Sequence, residues 1–148
     1  MTKYFLTFAI LCVCGVVLVR GAIDKKAMIE DFMSKGEACS TEVGASKADL
    51  GEIIGKKPAS TAEGKCLRAC IMKKYEVIDE NGKLVPAVAL KHAEMYTEGD
   101  EDKMKIAHEV IDACAKLSVS EDHCEAAEEY CKYLHEQAMS HGVEDIEI

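Results

Sequence analysis

The chain has 148 residues and a mass of 16.2 kDa, which suits a single domain. Apolar residues make up 49% and charged residues 30%, so the chain can bury enough surface to fold, and wholesale disorder is excluded. The formal net charge of −9 excludes the strongly basic surface that binds nucleic-acid phosphates, so we expect no nucleic-acid partner.

An apolar run near the start of the chain, residues 5–19, follows the basic Lys3. A basic start, an apolar run and the small residue Gly21 at a cleavage position are typical of a secretory signal peptide. The run is shorter than the roughly 20 residues that span a bilayer, which argues against a membrane anchor. We therefore predict that residues 1–21 are removed on secretion and that residues 22–148 form the functional domain. This domain keeps 16 basic and 27 acidic residues, a net charge of −11.

Two helices are predicted in the first third of this domain. Apolar residues at helical spacing after Asp24 predict a helix over residues 24–40. Ser46 and Asp49 resemble a capping box and open a short second helix, which ends before Pro58.

A turn separates the third predicted helix from the fourth. Ser60 and Glu63 match a capping box with Ser60 as the N-cap, which predicts a third helix after Ser60. Residues 79–82 have the composition of a tight turn. Pro86 suits the first turn of a fourth helix.

Two longer amphipathic segments follow the polar break at residues 97–100. The fifth predicted helix has one apolar face, formed by Met104, Ala107, Ile111 and Cys114. The sixth begins near Ser120 and ends at Gly142. The segments with these helix signals do not show the alternation of apolar and polar residues that is typical of strands, so we predict an all-α fold.

Six cysteines remain after removal of the signal peptide: Cys39, Cys66, Cys70, Cys114, Cys124 and Cys131. An even number in a secreted chain predicts three disulfides. Cys66 and Cys70 are four residues apart on one predicted helix, so we expect each to pair with a different neighbouring element. Spacing alone leaves fifteen pairings open.

Catalytic and metal-binding motifs are missing from the sequence. It has no Gly-x-Ser-x-Gly elbow, and its five histidines lack the context of a catalytic triad. The adjacent cysteines and the His-Asp order of secreted phospholipase A2 are also missing. Disulfide formation leaves few soft ligands for zinc, and the turn at residues 79–82 lacks the ligand spacing of an EF-hand. We therefore expect no enzymatic activity, no cofactor and no metal.

The cysteine spacing is more specific than any single motif. Gaps of 26, 3, 43 and 9 residues separate the first five cysteines. Sequence blocks at residues 58–61, 64–70, 79–84 and 122–127 accompany them. Together these features resemble the six-cysteine insect odorant-binding proteins, in particular the fly general and pheromone-binding-protein-related carriers. The resemblance covers essentially the whole mature chain.

This resemblance implies a compact bundle of about six helices stapled by three disulfides around an apolar ligand cavity. The implied pairs are Cys39–Cys70, Cys66–Cys124 and Cys114–Cys131. The family usually has eight residues between its fifth and sixth cysteines, whereas residues 125–130 provide six, which indicates that two residues have been lost near Cys131. Because Cys131 still lies on the apolar seam of the last predicted helix, we expect the third disulfide to form.

The function implied by the resemblance is that of a secreted carrier. It would bind small hydrophobic odorants or semiochemicals reversibly and transport or buffer them in aqueous sensillar lymph. Methionine suits an adaptable apolar wall, and tyrosine hydroxyls suit the orientation of a polar ligand group. The candidate ligand-contact residues are Phe32, Ile54, Met72, Tyr75, Leu90, Met95, Ile106, Val110, Tyr130 and Leu134. The alternative interpretation is that the same residues form an ordinary packed core.

The expected partners are small hydrophobic volatiles. An encounter with an odorant receptor or a membrane is a further expectation, as is a monomer or weak homodimer. His135 and His141 precede the acidic tail 143–148 and suggest a pH-dependent tail contact. The alternative function is a secreted, disulfide-stabilised protein-interaction or defence module without a ligand cavity.

Overall fold

The computed structural model describes residues 24–142, so the predicted signal peptide and the acidic tail lie outside the described residues. The helices of this part are α1 Lys25–Val43, α2 Lys47–Ile54, α3 Ala62–Lys74, α4 Pro86–Thr97, α5 Glu101–Cys114 and α6 His123–Ser140. The β-pairing described between residues 24 and 142 is one isolated bridge from Ile78 to Leu84. The predicted all-α fold is confirmed. Between residues 24 and 142, none of the helices combines the length and the hydrophobicity that a membrane-spanning segment needs.

The start of α3 differs from the prediction by one residue. Thr61, not Ser60, is the N-cap, and its hydroxyl oxygen accepts a 2.9 Å hydrogen bond from the Gly64 N–H. The Ser60 N–H instead donates to the Glu52 carboxylate at 3.0 Å. The local Ser-x-x-Glu pattern is therefore misleading here, because a carboxylate from α2 binds the backbone amide of the predicted N-cap.

Two other boundaries also depart from the predicted ones. α1 continues to Val43, three residues beyond the predicted end, and Gly44 ends it with a φ of +73° that favours glycine. α6 begins at His123 rather than near Ser120. Its N-cap is Asp122, whose carboxylate accepts from the amides of the second and third helical residues and so fixes the later start.

α3 is the central helix of the described fold. It packs against α1, α2 and α6, whereas α4 packs against α5, and α5 against α6. The Cys39–Cys70 disulfide joins α3 to α1, and the Cys66–Cys124 disulfide joins α3 to α6. Both bonds match the pairs implied by the resemblance, and the two cysteines of α3 reach different neighbours, as their spacing predicts.

The structure differs from the third predicted pair. Cys114 and Cys131 are both unbonded thiols. α6 runs without interruption through this region, so its register decides which residue faces Cys114. A spacing of eight residues after Cys124 would place the cysteine at position 133, where Tyr133 packs against the cluster that contains Cys114. Two residues earlier, Cys131 is turned by about 200° around the helix, and its thiol faces the Met72 sulfur at 3.9 Å.

Alkylation tests this difference. Burial raises the pKa of both thiols to about 11, so native protein should react slowly. In denaturant without reductant, we expect iodoacetamide to label two cysteines, Cys114 and Cys131, as counted by intact mass. The variant that exchanges Cys131 and Tyr133 restores the longer spacing and should lose both labels. An unlabelled wild-type chain would mean that the third disulfide forms.

Asp49 joins the first turns of α2 and α3. It is only 4% exposed, and its carboxylate accepts hydrogen bonds from the Ser46 hydroxyl at 2.6 Å and the Ser46 N–H at 2.7 Å. The Thr61 hydroxyl, which caps α3, also donates to this carboxylate. The Ser46 and Thr61 hydroxyls, and then the Ser46 amide, lower the pKa of Asp49 below its ordinary value of 3.8.

This lowered pKa predicts acid sensitivity. A carboxylate with a depressed pKa in the folded state stabilises the fold above its unfolded pKa, and that contribution is lost as the pH falls through the folded pKa. In urea unfolding, the stability advantage of wild type over Asp49→Asn should therefore shrink below about pH 4. The exposed Glu121→Gln is the matched control and should show no such trend. A difference that is constant with pH would contradict this role of Asp49.

Candidate functional site

Two apolar clusters form the interior of the described structure. The α1–α3 cluster consists of Cys39, Leu50, Leu67, Cys70 and Ile71. The α5–α6 cluster consists of Ala69, Ile78, Leu84, Ile111, Cys114, Ala126, Ala127 and Tyr130. Ile71 belongs to one cluster and the adjacent Met72 packs on the other, so the last turns of α3 divide the interior.

Five predicted ligand-contact residues are partly buried against these clusters. Phe32 and Tyr75 pack on the α1–α3 cluster. Met72, Leu90 and Leu134 pack on the α5–α6 cluster. Their side chains present apolar surface that the two clusters only partly cover. α4 packs against α5, and its Leu90 side chain reaches the α5–α6 cluster.

The other five predicted contacts lie elsewhere. Tyr130 is only 2% exposed, and its hydroxyl accepts a 3.4 Å hydrogen bond from the Leu84 N–H, so it is a core residue. Ile54 and Met95 are exposed. Ile106 and Val110 are half-buried on α5 but belong to neither cluster. The apolar stripe correctly indicates the inward side of these helices but does not distinguish a packed core from accessible lining.

A polar group surrounds Tyr75 at the end of α3. Its hydroxyl donates to Asp31 Oδ2 at 2.8 Å, and the Lys35 ammonium donates to the other oxygen of the same carboxylate. The Tyr75 and His92 rings meet edge to face, with centroids 5.6 Å apart. His92 Nε2 also lies 3.2 Å from the Tyr75 backbone oxygen. These contacts connect α1, the end of α3 and α4.

The electrostatics of this group keep Asp31 ionised and Tyr75 protonated. The hydrogen bond from Lys35, followed by that from Tyr75, lowers the pKa of the Asp31 carboxyl. Burial and the hydrogen bond to Asp31 raise the pKa of Tyr75 well above its usual range. Tyr75 therefore stays a neutral phenol that donates its proton to a carboxylate.

Asp31, Lys35 and His92 were not among the predicted site residues. The spacing of Asp31 and Lys35, four residues apart on one helix, is a sequence signal for an ion pair and could have drawn attention to them. The contact of His92 with Tyr75 spans 17 residues and depends on the path of the α3–α4 connection. Local sequence carries no signal for it.

Metal binding finds no support in the described part of the chain. No group of three or more histidine, cysteine, aspartate or glutamate side chains is arranged there to hold a metal ion.

An all-α fold whose central helix is cross-linked to two others, with partly covered apolar side chains on each of two clusters, is typical of small helical binding proteins. Residues 22–137 match the PBP/GOBP family, and the chain belongs to that family. It is 47% identical over 129 residues to general odorant-binding protein 28a of Drosophila melanogaster, covering 87% of this chain and 90% of that one. General odorant-binding protein 19d of the same species is 36% identical over 106 residues, covering 72% of this chain and 71% of that one.

The solved structure of the odorant-binding protein OBP28a from Drosophila melanogaster has the same fold. The TM-score is 0.73, and the alignment covers 80% of this chain and 98% of the other.

Proposed function

We propose that this protein is a secreted carrier that binds small hydrophobic odorants or semiochemicals reversibly and transports or buffers them in sensillar lymph. Membership of the PBP/GOBP family and similarity to general odorant-binding proteins support a role as a small-ligand carrier. The observation that carries the proposal is that five predicted ligand-contact residues are only partly buried against the two clusters. Part of their apolar surface is therefore left for a ligand to cover. The signal-peptide pattern supports secretion.

The energetics favour reversible binding. Removing apolar ligand surface from water contributes roughly 25 cal/mol per Å², and the loss of translational and rotational freedom offsets part of this gain. A medium-chain volatile has limited apolar area, so we expect micromolar dissociation constants. The related proteins reported above are named odorant-binding proteins, and binding of this strength requires no covalent step.

A fluorescent apolar probe tests the proposal. N-phenyl-1-naphthylamine should bind the protein and be displaced by medium-chain alcohols and ketones. Leu90→Ala removes apolar surface from the proposed lining and should weaken binding several-fold. Met139→Ala, at an exposed position near the end of α6, is the matched control and should bind as wild type does. Circular dichroism would confirm that both variants are folded.

The opposite result identifies the alternative function. A protein that neither binds the probe nor retains small apolar molecules in native mass spectrometry would not be a carrier. Complexes formed only with a protein partner would then favour a secreted interaction module.

A further inference from the structure

Tyr75 and His92 each use a polar hydrogen in a hydrogen bond within the protein. Tyr75 donates its single hydroxyl hydrogen to the Asp31 carboxylate at 2.8 Å. His92 Nε2 lies 3.2 Å from the Tyr75 backbone oxygen. A backbone carbonyl can only accept, so this ring nitrogen carries the hydrogen.

What remains at the Tyr75 hydroxyl itself is an acceptor position. The phenol oxygen keeps its lone pairs after donating its hydrogen. The Lys35 ammonium bonds the opposite oxygen of Asp31 and lies over the face of the Tyr75 ring, 4.9 Å from its centroid. The hydrogen-bonding capacity that Tyr75 itself can offer a guest is therefore that of an acceptor.

The position of this acceptor suits a ligand with an apolar body and one polar end. Tyr75 is half-buried and packs on the α1–α3 cluster, as does Phe32, the neighbour of Asp31 in sequence. Met72, one turn earlier on α3, packs on the other cluster. The Tyr75 side chain thus connects the α1–α3 cluster, on which it packs, to the charged pair on α1, to which its hydroxyl donates.

Building on the proposed carrier function, we propose that Tyr75 selects ligands that donate a hydrogen bond, so that alcohols bind in preference to ketones, aldehydes or esters of the same skeleton. An alcohol can donate its hydrogen to the Tyr75 oxygen without disturbing Asp31. A carbonyl ligand has only acceptors and must compete with Asp31 for the Tyr75 hydrogen. A hydrogen bond to an ionised carboxylate is roughly twice as strong as one between neutral groups, so Asp31 keeps it.

Competition against N-phenyl-1-naphthylamine with 2-octanol and 2-octanone measures this preference, because the two ligands share one carbon skeleton. The readout is the ratio of their dissociation constants in each variant. Tyr75→Phe keeps the ring against His92 and removes the hydroxyl acceptor. The ratio of dissociation constants in this variant is therefore the baseline for ligand binding without the Tyr75 hydroxyl. We expect wild type to favour the alcohol by about 2- to 10-fold beyond this baseline, the range of one net hydrogen bond.

Two further variants sharpen the test. Asp31→Ala leaves the Tyr75 hydrogen free to donate, so 2-octanone should bind more tightly than it does to wild type and the preference should narrow. Thr41→Val is the matched control, because Thr41 carries an exposed hydroxyl on α1 that bonds only the Glu37 backbone oxygen, and it should keep the wild-type ratio.

Equal ratios in wild type and Tyr75→Phe would overturn the inference while leaving the carrier function intact, since both ligands would still displace the probe. Failure of both ligands and of the probe to bind wild type would overturn the carrier function itself and the inference with it.

Discussion

Replacing Cys66 and Cys124 together by serine should lower the free energy of unfolding by about 4 kcal/mol. The bond links residues 58 positions apart in sequence. Its removal therefore gives the unfolded chain back much of its conformational freedom. For a domain of this size, such a loss corresponds to a fall in Tm of more than about 10 °C. Urea denaturation followed by far-UV circular dichroism measures the change.

The second disulfide provides a matched comparison. Cys39 and Cys70 are 31 positions apart, so the loop that they close is shorter. Both residues are buried, so alanine rather than serine avoids placing an unpaired hydroxyl in the core. We expect a loss of similar size for the double alanine variant, to which the lost packing contributes. A loss below about 1 kcal/mol for both double variants would contradict a stabilising role for these bonds.

Glu128→Ala should destabilise the protein by about 3–5 kcal/mol, because it leaves the Arg68 charge buried without an opposite charge. Arg68 Nε lies 3.0 Å from Glu128 Oε2, and the two side chains are only 5% and 16% exposed. The Arg68 guanidinium also donates to the backbone oxygens of Lys57 and Gly64. Glu128 Oε1 accepts from the Ala59 N–H at 3.0 Å. The pair therefore fixes the α2–α3 connection to both α3 and α6.

A double variant separates the net contribution of the ion pair to stability from the destabilisation that follows when only one of the two charges is removed. Arg68→Met with Glu128→Leu replaces both charges by apolar groups of similar length and should recover a large part of the loss. A thermodynamic cycle of the two single variants and the double variant, measured by urea unfolding, gives the coupling between the two residues. A coupling near zero would mean that the two charges act independently and would contradict the structural interpretation.

Much of the fold could be predicted from sequence because its signals are local. Pro86 at the first turn of α4 and the capping box at the start of α2 act within a few residues, and both are present in the structure. The start of α3 could not be placed correctly, because the Glu52 carboxylate that binds the Ser60 amide comes from another helix. The two disulfides on α3 were predictable from a resemblance over the whole chain, not from spacing.

The candidate site was less predictable. The apolar pattern marks the inward face of a helix, but Tyr130 and Leu134 on the same helix differ in whether their surface is fully covered. That difference depends on what packs opposite them, which is fixed by tertiary structure. The hydrogen-bond direction at Tyr75 likewise depends on Asp31, 44 residues away. Register also decides the environment of Cys131, since a shift of two helical positions turns a side chain to nearly the opposite side.

Within the described residues, the two disulfides join only three of the helices. Both disulfides converge on α3 and tie down α1 and α6, whereas the α4–α5 hairpin is held by side-chain packing. We therefore expect amide hydrogen exchange to be faster in this hairpin than in the three cross-linked helices.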